Sequence, residues 1–309
     1  MTSIVVGVDA GGSHTRAQVA DDGGAPLGAA EGIAGAMRPA GSDRAADAIV
    51  DVVRDALIAA EMGHVMPRVL CVGAAGVGRD TDRLMLWEAL SAREIADEVV
   101  VHTDAETAFD DAFGDGAGIL LLAGTGSIAH GRGPTGVTAR CGGWGPTCGD
   151  EGSGTWIGRR ALSVVTASAD GREPATALLG AILTAVEVNE VEQLVAWAAQ
   201  ATPVQVAQLA PVVARVADAG DARAEALATL AAEELVLHVR TLARSLFGDE
   251  RAGCPVAFAG GLIGPGRPLR RRLERRLKSA VPGRQLHAAE VIAVRGAVRA
   301  ALRHLGVRS

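Results

Sequence analysis

The 309-residue chain predicts a duplicated α/β fold of two domains. Three observations carry that expectation. A buried apolar strand, Ile4–Val8, runs into Asp9 and the turn Gly11-Gly12-Ser13, and a second strand follows. The same pattern restarts at 118–123, with the turn Gly124-Thr125-Gly126-Ser127 and another strand behind it. The length is also too great for one simple core and suits two domains of ordinary size.

The elements follow in order. After the first turn, a strand is expected around Arg16–Ala20, and Asp21-Asp22-Gly23-Gly24 supplies the backbone freedom a hairpin turn needs. A third strand at Pro26–Ala30 completes an antiparallel start, unlike the βαβ start of a dinucleotide fold. Ile49, Val52, Val53 and Leu57 recur at helical spacing, which predicts an amphipathic helix over Ala45–Glu61. A buried strand at Arg68–Ala74 ends in a glycine-rich turn, and a helix is expected at Thr81–Leu90. The strand Glu98–His102 ends at Thr103-Asp104-Ala105, and a short helix runs through Phe109 to Phe113. The turn at 115–118 divides the halves.

In the second half, strands are expected at Gly118–Ala123 and Ile128–Arg132, followed by an irregular glycine-rich loop over Gly142–Ser153. Residues 156–247 read as mostly helical, with the longest pattern at Ala222–Leu246. A last strand at Pro255–Ala259 runs into Gly260-Gly261, then a helix at Pro268–Leu277 and a final helix at Val291–Leu305. The expected domains are residues 1–115, residues 116–290 with a helical insertion, and a C-terminal helix within 291–309.

Composition narrows the function. Aromatic residues make up 3% of the chain and tyrosine is absent, so the core rests on Ala, Val, Leu and Ile. Net charge is −6 and no basic stripe is interleaved with aromatics, which excludes the usual nucleic-acid binding surface. The arginines at 270, 271, 272, 275 and 276 read as the solvated face of one helix. No apolar run approaches the roughly 20 residues of a membrane helix. The start of the chain lacks the basic segment of a signal peptide, and the four scattered cysteines suit a reducing cytoplasm. Cys141 and Cys148 match no standard zinc spacing.

Five segments carry chemistry. In Asp9-Ala10-Gly11-Gly12-Ser13-His14-Thr15, two glycines let backbone N–H groups approach phosphate oxygens, Ser13 and Thr15 add hydroxyls, and Asp9 can hold Mg²⁺ directly or through water. Gly124-Thr125-Gly126-Ser127 repeats that chemistry. Asp104, at a strand end, is suited either to accept a proton from an attacking hydroxyl or to cap a helix. Cys141-Gly142-Gly143-Trp144-Gly145 and Gly149-Asp150-Glu151-Gly152-Ser153-Gly154 combine planar carboxylates with exposed backbone donors, the needs of sugar recognition. Trp144 either packs on the sugar or braces the loop. Gly260-Gly261, closing a strand ahead of a helix, can admit an adenine or ribose. The sole lysine, Lys278, lies in a helical segment, which excludes a Walker P-loop. The dinucleotide fingerprint and the hydrolase elbow are also missing.

Together these segments resemble the N-acetylglucosamine kinase branch of the BadF/BadG/BcrA/BcrD ATPase family. That family shares the duplicated actin-like (ribonuclease H-like) fold of actin, heat-shock chaperones and hexokinases, with an interdomain nucleotide cleft. The resemblance runs over most of the chain and is most specific in the Cys141–Gly154 stretch. It implies transfer of the terminal phosphate of ATP, with Mg²⁺, to a sugar hydroxyl, the 6-hydroxyl of an amino sugar such as N-acetylglucosamine. Asp104 would be the catalytic base and a sugar ligand. Asp9 would hold magnesium through water, and Gly11, Gly12, Ser13 and Thr15 with Gly124, Thr125 and Gly126 would form the two phosphate loops. Ser127, Gly143, Trp144, Gly145 and Asp150 would bind the sugar, and Gly260 and Gly261 would face the adenosine.

The resemblance also implies a final helix that packs back on the first domain, with a homodimer as the fair expectation for such kinases. One departure is visible. The asparagine usually found after the third strand is absent from Gly35-Ala36-Met37-Arg38-Pro39, where Arg38 is the available substitute. Glucosamine and N-acetylmuramic acid are alternative acceptors. An ATPase activating a dehydratase and a non-enzymatic sugar sensor are the rival uses of the same fold.

Overall fold

The computed structural model describes residues 3–38 and 40–306. Met1, Thr2, Pro39 and residues 307–309, which belong to the expected domains and to the 35–39 stretch, lie outside the described residues. The chain divides into two compact units, Met1–Gly116 with Val291–Ser309, and Ala117–Glu290.

The first unit begins with three antiparallel strands, β1 (Ile4–Ala10), β2 (His14–Asp21) and β3 (Pro26–Ile33). The turn between β2 and β3 is closed by Asp21, whose Oδ1 accepts the N–H groups of Gly23 and Ala25 at 3.0 and 2.8 Å. β3 runs three residues beyond the sequence expectation because its pairing with β2 continues to His14 opposite Ile33. Helix α1 (Ser42–Ala59), strand β4 (Val69–Ala74), helix α2 (Asp80–Ser91), strand β5 (Glu98–Thr103) and helix α3 (Asp104–Phe113) follow. The sheet order is β3-β2-β1-β4-β5, with β1, β4 and β5 parallel.

β1 is apolar at nearly every position because it is covered on both faces, and the two-residue period of a strand separates those faces. Ile4, Val6 and Val8 share one core with Ile49, Val52 and Val53 of α1. Val5 belongs to another, with Val69 and Cys71 of β4.

The second unit repeats the plan. It contains β6 (Gly118–Ala123), β7 (Ser127–Arg132) and β8 (Thr138–Gly142), then helices α4 (Gly154–Ala169), α5 (Leu178–Ala185), α6 (Val191–Gln200), α7 (Pro203–Ala207), α8 (Ala210–Asp218) and α9 (Ala222–Phe247). Strand β9 (Cys254–Ala259), helix α10 (Pro268–Ala280) and strand β10 (Arg284–Leu286) complete it. Its sheet order is β10-β9-β6-β7-β8. Read from the third strand inward, this is the order of the first sheet, with β6 taking the place of β1 and β9 that of β4. The arginine-rich face of α10 is not simply solvated. Arg272 keeps 17% of its side chain exposed and pairs with Asp218 of α8 at 3.3 Å and with Glu225 of α9. Arg276 reaches Glu233 at 2.9 Å. The acidic partners of these arginines lie more than 40 residues away in sequence, beyond the reach of a local pattern.

Helix α11 (Ala293–His304) returns to the first unit and covers the open face of its sheet. Ala297, Val298 and Ala301 pack with Val5, Val69 and Cys71. The approach leaves no room for a side chain at the crossing. A Cβ on Gly296 would lie 1.8 Å from the Thr107 carbonyl oxygen, and one on Gly7 would lie 2.4 Å from the backbone nitrogen of Val298. Polar contacts fix the same helix. The Asp111 side chain is 1% exposed and accepts the Ile292 N–H at 2.8 Å and Arg295 Nη2 at 2.7 Å. Arg299 Nη1 donates to the Asp111 carbonyl at 2.9 Å, and Arg303 pairs with Asp110. Among the described residues no helix is long and apolar enough to cross a membrane.

Candidate active site

In the first unit the chemistry gathers at the carboxyl ends of the parallel strands, where open α/β sheets bind ligands. Asp9 of β1 lies in register with Gly73 of β4, which lies in register with His102 of β5. Asp104 opens α3 one residue past the end of β5. Two strand spacings separate β1 from β5, about 10 Å, and the two carboxylates feel each other. Burial, and secondarily the charge of Asp104, push the Asp9 carboxyl up to about 6, against the opposing pull of Arg16.

The turn after Asp9 is closed by the Gly11 N–H donating to the His14 carbonyl at 2.9 Å, which leaves Ser13 exposed at its tip. Thr15 is a correction. Its side chain is fully buried, and Oγ1 donates to the Ile33 carbonyl at 2.6 Å, so the hydroxyl ties β2 to the end of β3 and offers nothing to a phosphate. The strand alternation that buries Ala17 and Val19 also turns Thr15 inward. The segment after β3 runs beside this turn, with the Ala36 N–H on the Gly11 carbonyl at 3.2 Å and Met37 N–H on the Ala75 carbonyl at 2.9 Å. Arg38 is exposed there.

Asp104 is not the helix cap. Thr103 takes that place in a capping box, with Oγ1 accepting the Glu106 N–H at 3.1 Å and Glu106 Oε2 accepting the Thr103 N–H at 2.7 Å. Asp104 is the first helical residue, its Oδ1 accepting the Ala105 N–H at 2.9 Å, where the positive end of the helix dipole favours its charge. Burial alone would raise the Glu106 carboxyl, but bonds from the His102 side chain and the Thr103 N–H, with Arg83 nearby, hold it down at about 2. Glu106 therefore stays ionised and anchors the turn that carries Asp104. The Thr-x-x-Glu spacing of residues 103–106 is a capping-box signature that marks this support in the sequence.

In the second unit the turn Gly124-Thr125-Gly126 is held from α4. The Gly154 N–H donates to the Gly124 carbonyl at 2.9 Å, and Thr155 Oγ1 donates to the Thr125 carbonyl at 2.8 Å. Asp150 is the centre of this region. It is 7% exposed, adopts a left-handed backbone (φ 57°), and accepts the Gly145 N–H at 3.1 Å and the Ser127 N–H. Burial raises its carboxyl, and those two bonds pull it back. A Cβ on Gly126 would come within 2.8 Å of Asp150 Oδ2, so glycine there lets the 124–126 turn rest on the carboxylate. Asp150 thus braces the loop through its bonds to backbone.

Ser127 is a second correction. It is 3% exposed and its hydroxyl donates to the Glu151 carbonyl at 2.8 Å, so it secures the glycine-rich loop rather than reaching a ligand. Trp144 is 66% exposed with the Arg140 guanidinium 4.2 Å from its ring, flanked by Gly143 and Gly145, both with positive φ. Gly260 (φ 94°) and Gly261 close β9 and are exposed. The Leu262 N–H donates to the Ala123 carbonyl at 3.1 Å, which joins this turn to the end of β6.

A family model for the BadF/BadG/BcrA/BcrD ATPases matches residues 6–302. The chain belongs to that family. Among solved structures, a candidate N-acetylglucosamine kinase from Chromobacterium violaceum superposes with a TM-score of 0.82 at 31% identity, covering 96% of this chain and 98% of the other. The N-acetyl-D-glucosamine kinase of Dictyostelium discoideum is 28% identical over 274 residues, 84% of this chain and 85% of that protein. The N-acetylmuramic acid/N-acetylglucosamine kinase of Clostridium acetobutylicum is 33% identical over 196 residues, 63% of this chain and 64% of the relative's length. The two repeated five-stranded sheets are those of the actin-like fold to which BadF/BadG/BcrA/BcrD ATPases belong.

Proposed function

We propose that this BadF/BadG/BcrA/BcrD protein is an ATP-dependent kinase that phosphorylates a hydroxyl, the 6-hydroxyl by preference, of an amino sugar such as N-acetylglucosamine. The observation that carries the reading is the pair Asp9 and Asp104 at the carboxyl edge of one parallel sheet, close enough for each charge to act on the other. The similarity to amino-sugar kinases supports the acceptor. The turns at 11–13 and 124–126 are each a phosphate loop, with Gly260 and Gly261 facing the adenosine. Gly143, Trp144, Gly145 and the backbone braced by Asp150 shape the sugar-binding loop. Thr15 and Ser127 act by holding those turns.

The donor set fits a divalent cation. A half-buried carboxylate whose charge is opposed by burial and by a neighbouring carboxylate is relieved by a bound cation. Asp9 would hold Mg²⁺, directly or through water, and the ion would supply neutralisation of the phosphate charge. Asp104 accepts the proton of the attacking hydroxyl, held ready by the Thr103–Glu106 capping box. Positioning and charge compensation supply most of the acceleration in such transfers.

A coupled ADP-release screen across N-acetylglucosamine, glucosamine, N-acetylmuramic acid and plain hexoses tests this. ADP release with an amino sugar is expected, and its absence with every sugar rejects the reading. The pH dependence is a second check. In the ligand-free protein Asp9 is protonated below about 6, so the metal–nucleotide must displace a proton there. Its affinity is expected to weaken as pH falls from 7 to 5, read by calorimetric titration. The stability sign is opposite. A carboxyl raised in the folded state binds more protons folded than unfolded, so its effect on stability worsens as pH rises from the ordinary carboxylate range through about 6. Asp9→Asn should therefore raise the melting temperature at pH 7.5 while abolishing turnover.

A further inference from the structure

Beside the glycine-rich loop, the second unit holds a pocket of about 440 Å³ that no step of the proposed transfer uses. One wall is the loop itself, including Gly149 and Glu151 on either side of Asp150. The other is a stripe of α4 made by Trp156, Arg159, Arg160 and Ser163, which share a face by their i, i+3 and i, i+4 spacing. Arg160 lies over the Trp156 ring, 5.1 Å from its centroid, an arrangement that orders a flexible guanidinium. Arg159 Nη1 donates to the Pro146 carbonyl, which fixes it to the sugar-side loop. Among the described residues neither arginine is paired with a carboxylate, whereas Arg272 and Arg276 of α10 both are. Two guanidinium groups face one acid, Glu151, so the pocket is net positive. Arginine forks match the planar geometry of a carboxylate.

We infer that this pocket is a subsite for a carboxylate carried on the amino sugar, with Arg159 and Arg160 as the residues that set the preference for acidic over neutral acceptors. A neutral sugar leaves the pocket to water. The inference rests on the amino-sugar kinase reading.

The test compares kcat/KM for N-acetylmuramic acid, its neutral carboxamide and N-acetylglucosamine, in the wild type and in an Arg159→Ala/Arg160→Ala double variant. The wild type is expected to prefer the acid over the carboxamide by about tenfold or more, with the preference shrinking as salt is raised. The double variant is expected to bring the acid-to-carboxamide ratio to near unity, and Arg159→Lys/Arg160→Lys to restore part of it. Equal use of acid and carboxamide by the wild type overturns the inference even if the variant does not fold. A double variant that lowers all three substrates alike, or leaves the ratio untouched, overturns it as well. Those outcomes leave the kinase reading standing. Absence of ADP release with any sugar removes the reading itself, and the inference with it.

Discussion

Asp104→Asn is expected to lower kcat by about 10²–10⁴-fold, the usual contribution of a positioned general base. The substitution is local. The side-chain oxygen of asparagine can still accept the Ala105 N–H, and the start of α3 is secured independently by Thr103 and Glu106. Nucleotide affinity, measured by titration calorimetry, should therefore stay within a fewfold of wild type while steady-state turnover collapses. An asparagine variant with near-normal turnover would exclude Asp104 as the base. The capping box offers a graded control. Glu106→Gln keeps the shape of the anchor but removes its charge, and should cost far less activity than the change at Asp104.

Asp111→Ala is expected to lower the stability of the first unit by about 2–4 kcal/mol, since removing one partner of a buried ion pair leaves the others uncompensated. The Asp111 side chain is 1% exposed and serves the Ile292 N–H and Arg295 together, with Arg299 3.5 Å away. The arginines are about 40% exposed, so water recovers part of their hydration and holds the loss below that of a fully buried pair. A fall in melting temperature of roughly 5–10 °C should appear by scanning calorimetry. A variant melting with the wild type would show that apolar packing alone holds α11.

Much of this architecture is legible in the residues. Apolar runs such as Gly118–Ala123 coincide with strands because a strand covered on both faces must be apolar at successive positions. The turn residues Asp21 to Gly24 mark their hairpin through side-chain bonds that act within four residues. Strands β8 and β10 escaped because they are short, partly exposed edge strands with no apolar run. Site residues divide the same way. Backbone glycines and strand-end acids announce themselves locally. Whether a hydroxyl is available depends on its partner. Thr15 meets Ile33, 18 residues on, and Ser127 meets Glu151, 24 residues on, and no local pattern reveals either bond. Asp150 was readable as important, but its role as a brace follows from its burial against Gly126 and Gly145.

The route of the backbone has a consequence for biosynthesis. Helix α11, which fills the space over Gly7 and anchors the far end of the helix bearing Asp104, is encoded after the whole of the second unit. During translation, 117–290 can acquire its own core as an uninterrupted stretch, while the apolar face formed by Val5, Val69 and Cys71 waits uncovered. A nascent polypeptide halted before Ile292 should therefore present that face to chaperones, and acquire protease resistance in the 3–116 segment only after residues 292–304 emerge from the exit tunnel.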